Sequence, residues 1–146
     1  MQRVERRDRI AAPPDEVFAY IADLDNLPEW QSGVVAAERT TEGEMRVGAT
    51  ARVVRQLMGQ RIEAPLRVTE YDPPHRLGIG SEVSGVKALA ELVLAPAGDG
   101  ATDLSFAMEI RGSLLTTFME PMIANAAGAD IDASLERVKE RFATRP

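Results

Sequence analysis

Cysteine is absent from the chain, so neither a disulfide nor a thiol nucleophile is available; that usage fits a reducing compartment. Histidine occurs once, at position 75, which rules out a Cys–His pair and a clustered-histidine metal site. No segment approaches the roughly 20 consecutive apolar residues needed to cross a bilayer. The opening MQRVERRDRI lacks an apolar signal core. A cytoplasmic protein without stable membrane insertion is therefore expected. There is no glycine-rich phosphate loop, since GDG at 98–100 reads as a hairpin turn. The carboxylates are scattered, with no pair suggesting a glycosidase-like arrangement. Repeats, linkers and low-complexity stretches are also missing. No catalytic residue, metal site or cofactor is expected on these grounds.

What is present fits one domain over residues 1–146, long enough to bury a core without a metal or a disulfide. Hydrophobic residues at 45% and charged residues at 27% are the balance of a globular chain. A net charge of −6, from 17 basic and 23 acidic residues, argues against a nucleic-acid partner. Arg3, Arg6, Arg7 and Arg9 are interrupted by Glu5 and Asp8 and read as a solvated strand.

That strand, Val4 to Ile10, stops at a double proline. Pro14 suits the first position of a helix, where its missing amide hydrogen costs nothing. Asp15 and Glu16 follow in the first turn, favoured by the helix dipole. Val17, Phe18, Ile21 and Leu24 recur at helical spacing. Asp25 or Asn26 can cap a second short helix holding Pro28 and Trp30. Strand patterns then follow at 34–41, 49–58, 61–71, 76–83, 86–95 and 102–111, separated by turn residues. The pair Gly59-Gln60 reads as a hairpin turn with glycine first. Such short connections demand antiparallel neighbours. Ile62, Ala64, Leu66 and Val68 share one face of a strand, and Leu104, Phe106, Met108 and Ile110 form another one-sided row. These apolar faces need a cover.

Only the tail, about 114 to 143, can supply it. Ile131, Leu135, Val138 and Phe142 recur at helical spacing, and Lys139 and Arg141 suit its C-terminal end. At about 100° per residue, Ala124 and Ala127 extend that stripe, whereas Met119 and Met122 fall off it. Pro121 and Gly128 suggest a kink or a later start.

The stretches IAAPPDEVFAYIADLDNLPEW, VGATARVV, VTEYDPPHRL and ASLERVKERF, in this order of elements, resemble the START/Bet v 1-like superfamily. Within it the chain is most similar to the bacterial polyketide cyclase/dehydrase-like group. The resemblance implies an α+β helix-grip fold. A curved antiparallel sheet of about seven strands would wrap around a long C-terminal helix, with an apolar cavity between. Two short helices after strand 1 would close one end. The motifs are caps, turns and core positions, so they specify fold rather than activity.

A small-molecule site in such a cavity is mostly apolar with a few polar groups. The expected ligand-binding residues are Trp30, Val53, Arg55, Leu57, Ala64, Leu66, Ile79, Ala90, Phe106, Met108, Ala127 and Ile131. Ala51, Ala64, Ala88 and Ala90 would leave room, and methionines would adapt to shape. If Ile10 faces inward, alternation turns Asp8, Arg6 and Val4 the same way. Arg55 pairs with an acid such as Asp8, meets an acidic ligand, or escapes to solvent; pairing or escape leads. Asp130 lies about 100° from Ile131 and reads as solvent-facing, with the cavity rim as the alternative. His75, in DPPHR, reads as a solvated turn residue.

The leading function is binding of a small hydrophobic or amphipathic molecule. An aromatase/cyclase- or dehydratase-type enzyme comes second, and an interaction protein using Met119–Ile123 third. Whether the chain is an enzyme, and whether it is a monomer or a homodimer, stays open.

Overall fold

A computed structural model describes residues 2–57, 59–83, 85–112 and 120–143. Strand β1 (Gln2–Ile10) leads to helix α1 (Pro14–Ala22), a single 3₁₀ turn (Leu24–Asn26) and the short helix α2 (Leu27–Trp30). Six strands follow: β2 (Val34–Arg39), β3 (Thr50–Leu57), β4 (Gln60–Asp72), β5 (Arg76–Val83), β6 (Val86–Pro96) and β7 (Thr102–Arg111). Helix α3 (Glu120–Ala143) ends the described chain.

The strands form one antiparallel sheet in the order β1-β7-β6-β5-β4-β3-β2. Every consecutive pair from β2 onward is a hairpin, as the short connections require. β1 instead returns to pair with β7, Gln2 opposite Ile110 and Ile10 opposite Thr102. The first two strands are thus the two edges of the sheet, and α1 and α2 span the distance between them. Pro14 stands in the first turn of α1 as expected, but the second helical segment is capped differently. Asp23 accepts from the Asp25 amide (3.0 Å) and starts the 3₁₀ turn, while Asn26 donates its side-chain amide to the Tyr20 carbonyl (3.1 Å). The turn between β3 and β4 also differs from expectation. Leu57 pairs with Gln60, so Gln60 already belongs to β4 and Gly59 (φ 81°) is the residue that leads into it.

Two register shifts bend the sheet, one in β2 between Val34 and Ala36 and one in β4 between Val68 and Glu70. The second is crowded. A Cβ on Gly78 would lie 2.7 Å from Oγ1 of Thr69 and 3.2 Å from the Glu70 backbone nitrogen, so only glycine lets β5 approach the bulge.

The concave face is apolar. Val53, Val68, Leu77, Leu92, Leu104 and Phe106 are all fully buried or nearly so. They meet Ile131, Leu135, Val138 and Phe142 of α3, the stripe read from the sequence. Ala124 and Ala127 continue it and are also buried, whereas Met122 is 55% exposed. Met119 lies outside the described residues, as does the Ile123 side chain. α3 is not broken at Gly128. That glycine faces β1, where an added Cβ would meet Val4 and Arg6 at 3.4 Å, an ordinary contact distance. Among the described residues, no helix is long and apolar enough to cross a membrane.

Candidate cavity beneath the C-terminal helix

Helix α3 covers the sheet unevenly. Its close backbone approaches are to β1 and β7, not to the middle strands. Ion pairs fasten it on that side: Arg6 to Asp132 (3.2 Å) and Lys139 to Asp8 (3.4 Å). The alternation that turned Arg6 and Asp8 toward the helix is therefore correct, but the partner of Asp8 is Lys139 rather than Arg55. Over the far side, the strands present small inward residues, Ala64, Ser81 and Ala88. Small side chains under a helix that leans away leave unfilled space, and a cavity of about 250 Å³ results.

Its walls are mostly apolar: Ile62 and Ala64 from β4, Val83 and Val86 at the β5–β6 turn, Phe106, Met108 and Ile110 from β7, and Ala127 and Ile131 from α3. A recess of about 30 Å³ continues from it toward Trp30, Leu66, Ile79, Ala90 and Leu92. Arg55, Phe106 and Met108 border both spaces. Trp30 is 1% exposed, meets the Phe106 ring edge-on (centroids 6.0 Å apart), and its indole N–H has no hydrogen-bond partner among the described residues.

Of the residues expected to bind a ligand, Arg55, Ala64, Phe106, Met108, Ala127 and Ile131 border the main cavity, and Trp30, Leu66, Ile79 and Ala90 border the recess. Val53 borders neither. It is fully buried in the core, opposite Ala37 and Ala64 in the sheet. The Leu57 side chain lies outside the described residues.

The polar end of the cavity is built by three elements: Gln31 just after α2, Arg55 on β3, and Asp130 and Ser134 on α3. Ser134 is 1% exposed and its hydroxyl donates to the Asp130 carbonyl one turn earlier (2.6 Å). The same hydroxyl accepts from the Ser32 amide (2.8 Å), tying the α2–β2 turn to α3. Gly33 forms that turn with φ 92°, and a Cβ there would lie 3.3 Å from an Asp130 carboxylate oxygen. The Ser32 hydroxyl reaches the other oxygen at 3.5 Å. Asp130 is thus half-buried at the cavity, not solvent-facing, because the neighbouring turn folds over it.

Burial raises the Asp130 carboxyl above its ordinary value, and Arg55, the Ser32 hydroxyl and Arg137 partly oppose the rise. Burial likewise pulls the Arg55 guanidinium down, with Asp130 opposing. The acid that compensates Arg55 is therefore Asp130. The two do not reach ion-pair distance, and the guanidinium makes no hydrogen bond among the described residues.

Sequence reasoning missed Gln31, Ser81 and Ser134. Ser134 carried a signal: it is a polar residue inside the buried stripe, three positions after Ile131. Ser81 carried one too, two positions after the inward Ile79, whereas Gln31 carried none. His75 sits exposed in the β4–β5 turn, far in the chain from these groups, with only its backbone engaged. Among the described residues, no cluster of His, Cys, Asp and Glu could hold a metal ion.

A wider hollow of about 670 Å³ lies on the other face of the sheet, bounded chiefly by outward residues such as Arg52, Pro65, Arg67, Lys87 and Leu89. It is open to solvent, and charged side chains border it. The smaller cavity under α3 instead combines mostly apolar walls with a few convergent polar groups, the usual make-up of a small-molecule site.

Comparison with known proteins agrees with this architecture. The family described as "Polyketide cyclase / dehydrase and lipid transport" matches residues 1–143. An uncharacterized protein of Mycobacterium tuberculosis strain H37Rv is 27% identical over 145 residues, covering 97% of this chain and 99% of that one. A START superfamily protein from Mycobacterium smegmatis superposes with a TM-score of 0.81 at 14% identity, covering 97% of each chain. The di-domain ARO/CYC BexL from the BE-7585A biosynthetic pathway superposes with a TM-score of 0.80 at 20% identity. That match covers 100% of this chain and 48% of BexL.

Proposed function

We propose that this chain, which belongs to the polyketide cyclase / dehydrase and lipid transport family, binds a small hydrophobic or amphipathic molecule in the cavity beneath α3. One observation carries the reading. A partly enclosed, largely apolar space of about 250 Å³ lies between the sheet and α3, with Gln31, Arg55 and Asp130 gathered at one end. Affinity would come from apolar ligand area removed from water, worth about 25 cal/mol per Å² before the costs of association. Ala64, Phe106, Met108, Ala127 and Ile131 would form the apolar wall. Trp30, Leu66, Ile79 and Ala90 would receive only a narrow extremity of the ligand.

A second reading rests on the same place. Asp130 is a titratable group inside the cavity, with its carboxyl held above the ordinary range by burial. An acid or base so placed could move a proton on a bound chain, as cyclase- or dehydratase-type chemistry needs. That makes the enzyme reading an elaboration of the binding reading. The interaction reading draws less support, because a protein that acts through its surface alone has no use for such a cavity.

Native mass spectrometry of freshly purified protein tests the proposal, together with titration by the uncharged fluorophore N-phenyl-1-naphthylamine. The expected result is a co-purifying small molecule lost on denaturation, or saturable fluorophore binding at one site. Protein of bare mass that does not enhance the fluorophore's emission would show that the cavity takes no ligand.

A further inference from the structure

The polar end of the cavity carries charge of both signs, which restricts what can bind. Resting on the cavity reading above, we propose that the ligand's polar end is uncharged and carries both a hydrogen-bond donor and an acceptor. It would fill the gap between the guanidinium of Arg55 and the carboxylate of Asp130.

Two polar side chains that border the cavity are already engaged. The Ser134 hydroxyl donates to the Asp130 carbonyl and accepts from the Ser32 amide. The Ser81 hydroxyl donates to the Pro65 carbonyl (2.8 Å). Three side chains remain for a ligand. Arg55 has donors only, and its guanidinium makes no hydrogen bond among the described residues. An ionised Asp130 has acceptors only, with one long contact to Ser32 (3.5 Å). Gln31 is 6% exposed, and its amide, with one donor group and one acceptor, has no side-chain partner among the described residues.

Charge decides the class. Arg55 alone would select an anion. Asp130 borders the same space and already balances it. A carboxylate ligand would bring a second negative charge into an apolar enclosure and leave it unbalanced, at high cost. An amine would leave an unbalanced positive charge. An uncharged group adds no charge: its oxygen accepts from Arg55 and its N–H or O–H donates to Asp130. A primary amide fits, as does a hydroxyl beside a carbonyl. The volume of about 250 Å³ falls below the roughly 300–1,000 Å³ of drug-sized sites, so the ligand is compact.

Three probes of nearly one shape test this at neutral pH by displacement of N-phenyl-1-naphthylamine: naphthalene-2-carboxamide, naphthalene-2-carboxylate and the hydrocarbon 2-isopropenylnaphthalene. The amide should bind at least tenfold more tightly than either of the others. A carboxylate equal to or tighter than the amide would overturn the proposal, since Arg55 would then be selecting an anion. A hydrocarbon as tight as the amide would also overturn it, while leaving the cavity reading intact. Failure of the fluorophore itself to bind would remove the cavity reading, and the proposal with it, whereas a bound fluorophore that the amide does not displace would overturn the proposal alone. In Asp130→Asn the carboxylate should gain at least tenfold, because its charge then balances Arg55. A folded variant with unchanged preference counts against the proposal. If that variant does not fold, the comparison in the parent protein decides.

Discussion

Placing one phenyl ring on each of two inward alanines separates open space from packed space. Ala64 on β4 borders the cavity of about 250 Å³, and Ala90 on β6 borders the recess of about 30 Å³. Both are buried, at 4% and 8% exposure. The recess has room for about two waters, so a ring at position 90 must displace Ile79 or Met108, its register partners. Overpacking of that kind costs about 1–3 kcal/mol, and Ala90→Phe should lose that much. Ala64→Phe projects into space large enough for a ring. Burying a phenylalanine side chain yields about 1.5–3 kcal/mol, and ordering it in an imperfect site takes back a large part. The net change should stay within about 1 kcal/mol, while N-phenyl-1-naphthylamine affinity falls at least tenfold. Urea denaturation measures the first quantity and fluorescence titration the second. If Ala64→Phe is as destabilised as Ala90→Phe, or still binds the fluorophore normally, the space under α3 is not the ligand site.

Other changes follow from the same geometry. Leu135→Ala removes a side chain that is 4% exposed against the sheet and should cost about 2–5 kcal/mol by chemical denaturation; a loss below about 0.5 kcal/mol would contradict the helix placement. Gly128→Ala should stabilise by about 0.5–1 kcal/mol, since its Cβ meets Val4 and Arg6 at 3.4 Å and alanine favours the helix; a clear loss would show that β1 and α3 cannot separate even slightly. His75→Ala should change fluorophore affinity and stability by no more than about 0.5 kcal/mol, because the side chain is exposed in a turn. Asp130 gives a pH signature. Its folded-state carboxyl titrates above the unfolded value of about 3.9, so the folded chain holds more protons in that window. Its contribution to stability is present below the unfolded value and is lost as pH rises through the folded one. Against an Asp130→Asn reference, the parent should therefore lose ground as pH rises from about 4 toward neutrality, and a parent that gains ground would reverse the assignment.

Patterns confined to one element were legible in the sequence. The stripe from Ile131 to Phe142, the row from Leu104 to Ile110 and the proline-led start of α1 each depend on spacing within one stretch, which alternation and the 3.6-residue repeat expose directly. What depended on two elements was not legible. Asp130 reads as solvent-facing on its helix alone; only the Ser32–Gly33 turn folding over it makes it part of the cavity. The partner of Arg55 was sought on β1 because Asp8 faces inward, yet Lys139 takes Asp8 and the helix supplies Asp130. Gly128 reads as a helix breaker, whereas it lies inside an unbroken α3, packed against β1. Alanines on inward rows could equally have meant tight packing, and the uneven lean of α3 decides the matter.

The pairing of β1 with β7 has a consequence for the chain as it is made. Gln2 finds its place opposite Ile110, so β1 must wait for β7 to be made. At about 5–20 residues per second, synthesis of the intervening hundred or so residues takes on the order of 5–20 s. Throughout that interval β1 lacks the strand whose amides and carbonyls pair with its own. Its composition disfavours self-pairing. Arg3, Glu5, Arg6, Arg7, Asp8 and Arg9 make it too charged to stack with copies of itself. Once β7 arrives, the same charges find fixed partners: Arg3 with Glu109, Arg9 with Asp103, Arg6 and Asp8 with α3. The charges that would disfavour self-pairing of the lone strand are thus the ones that meet partners of opposite sign in the finished sheet.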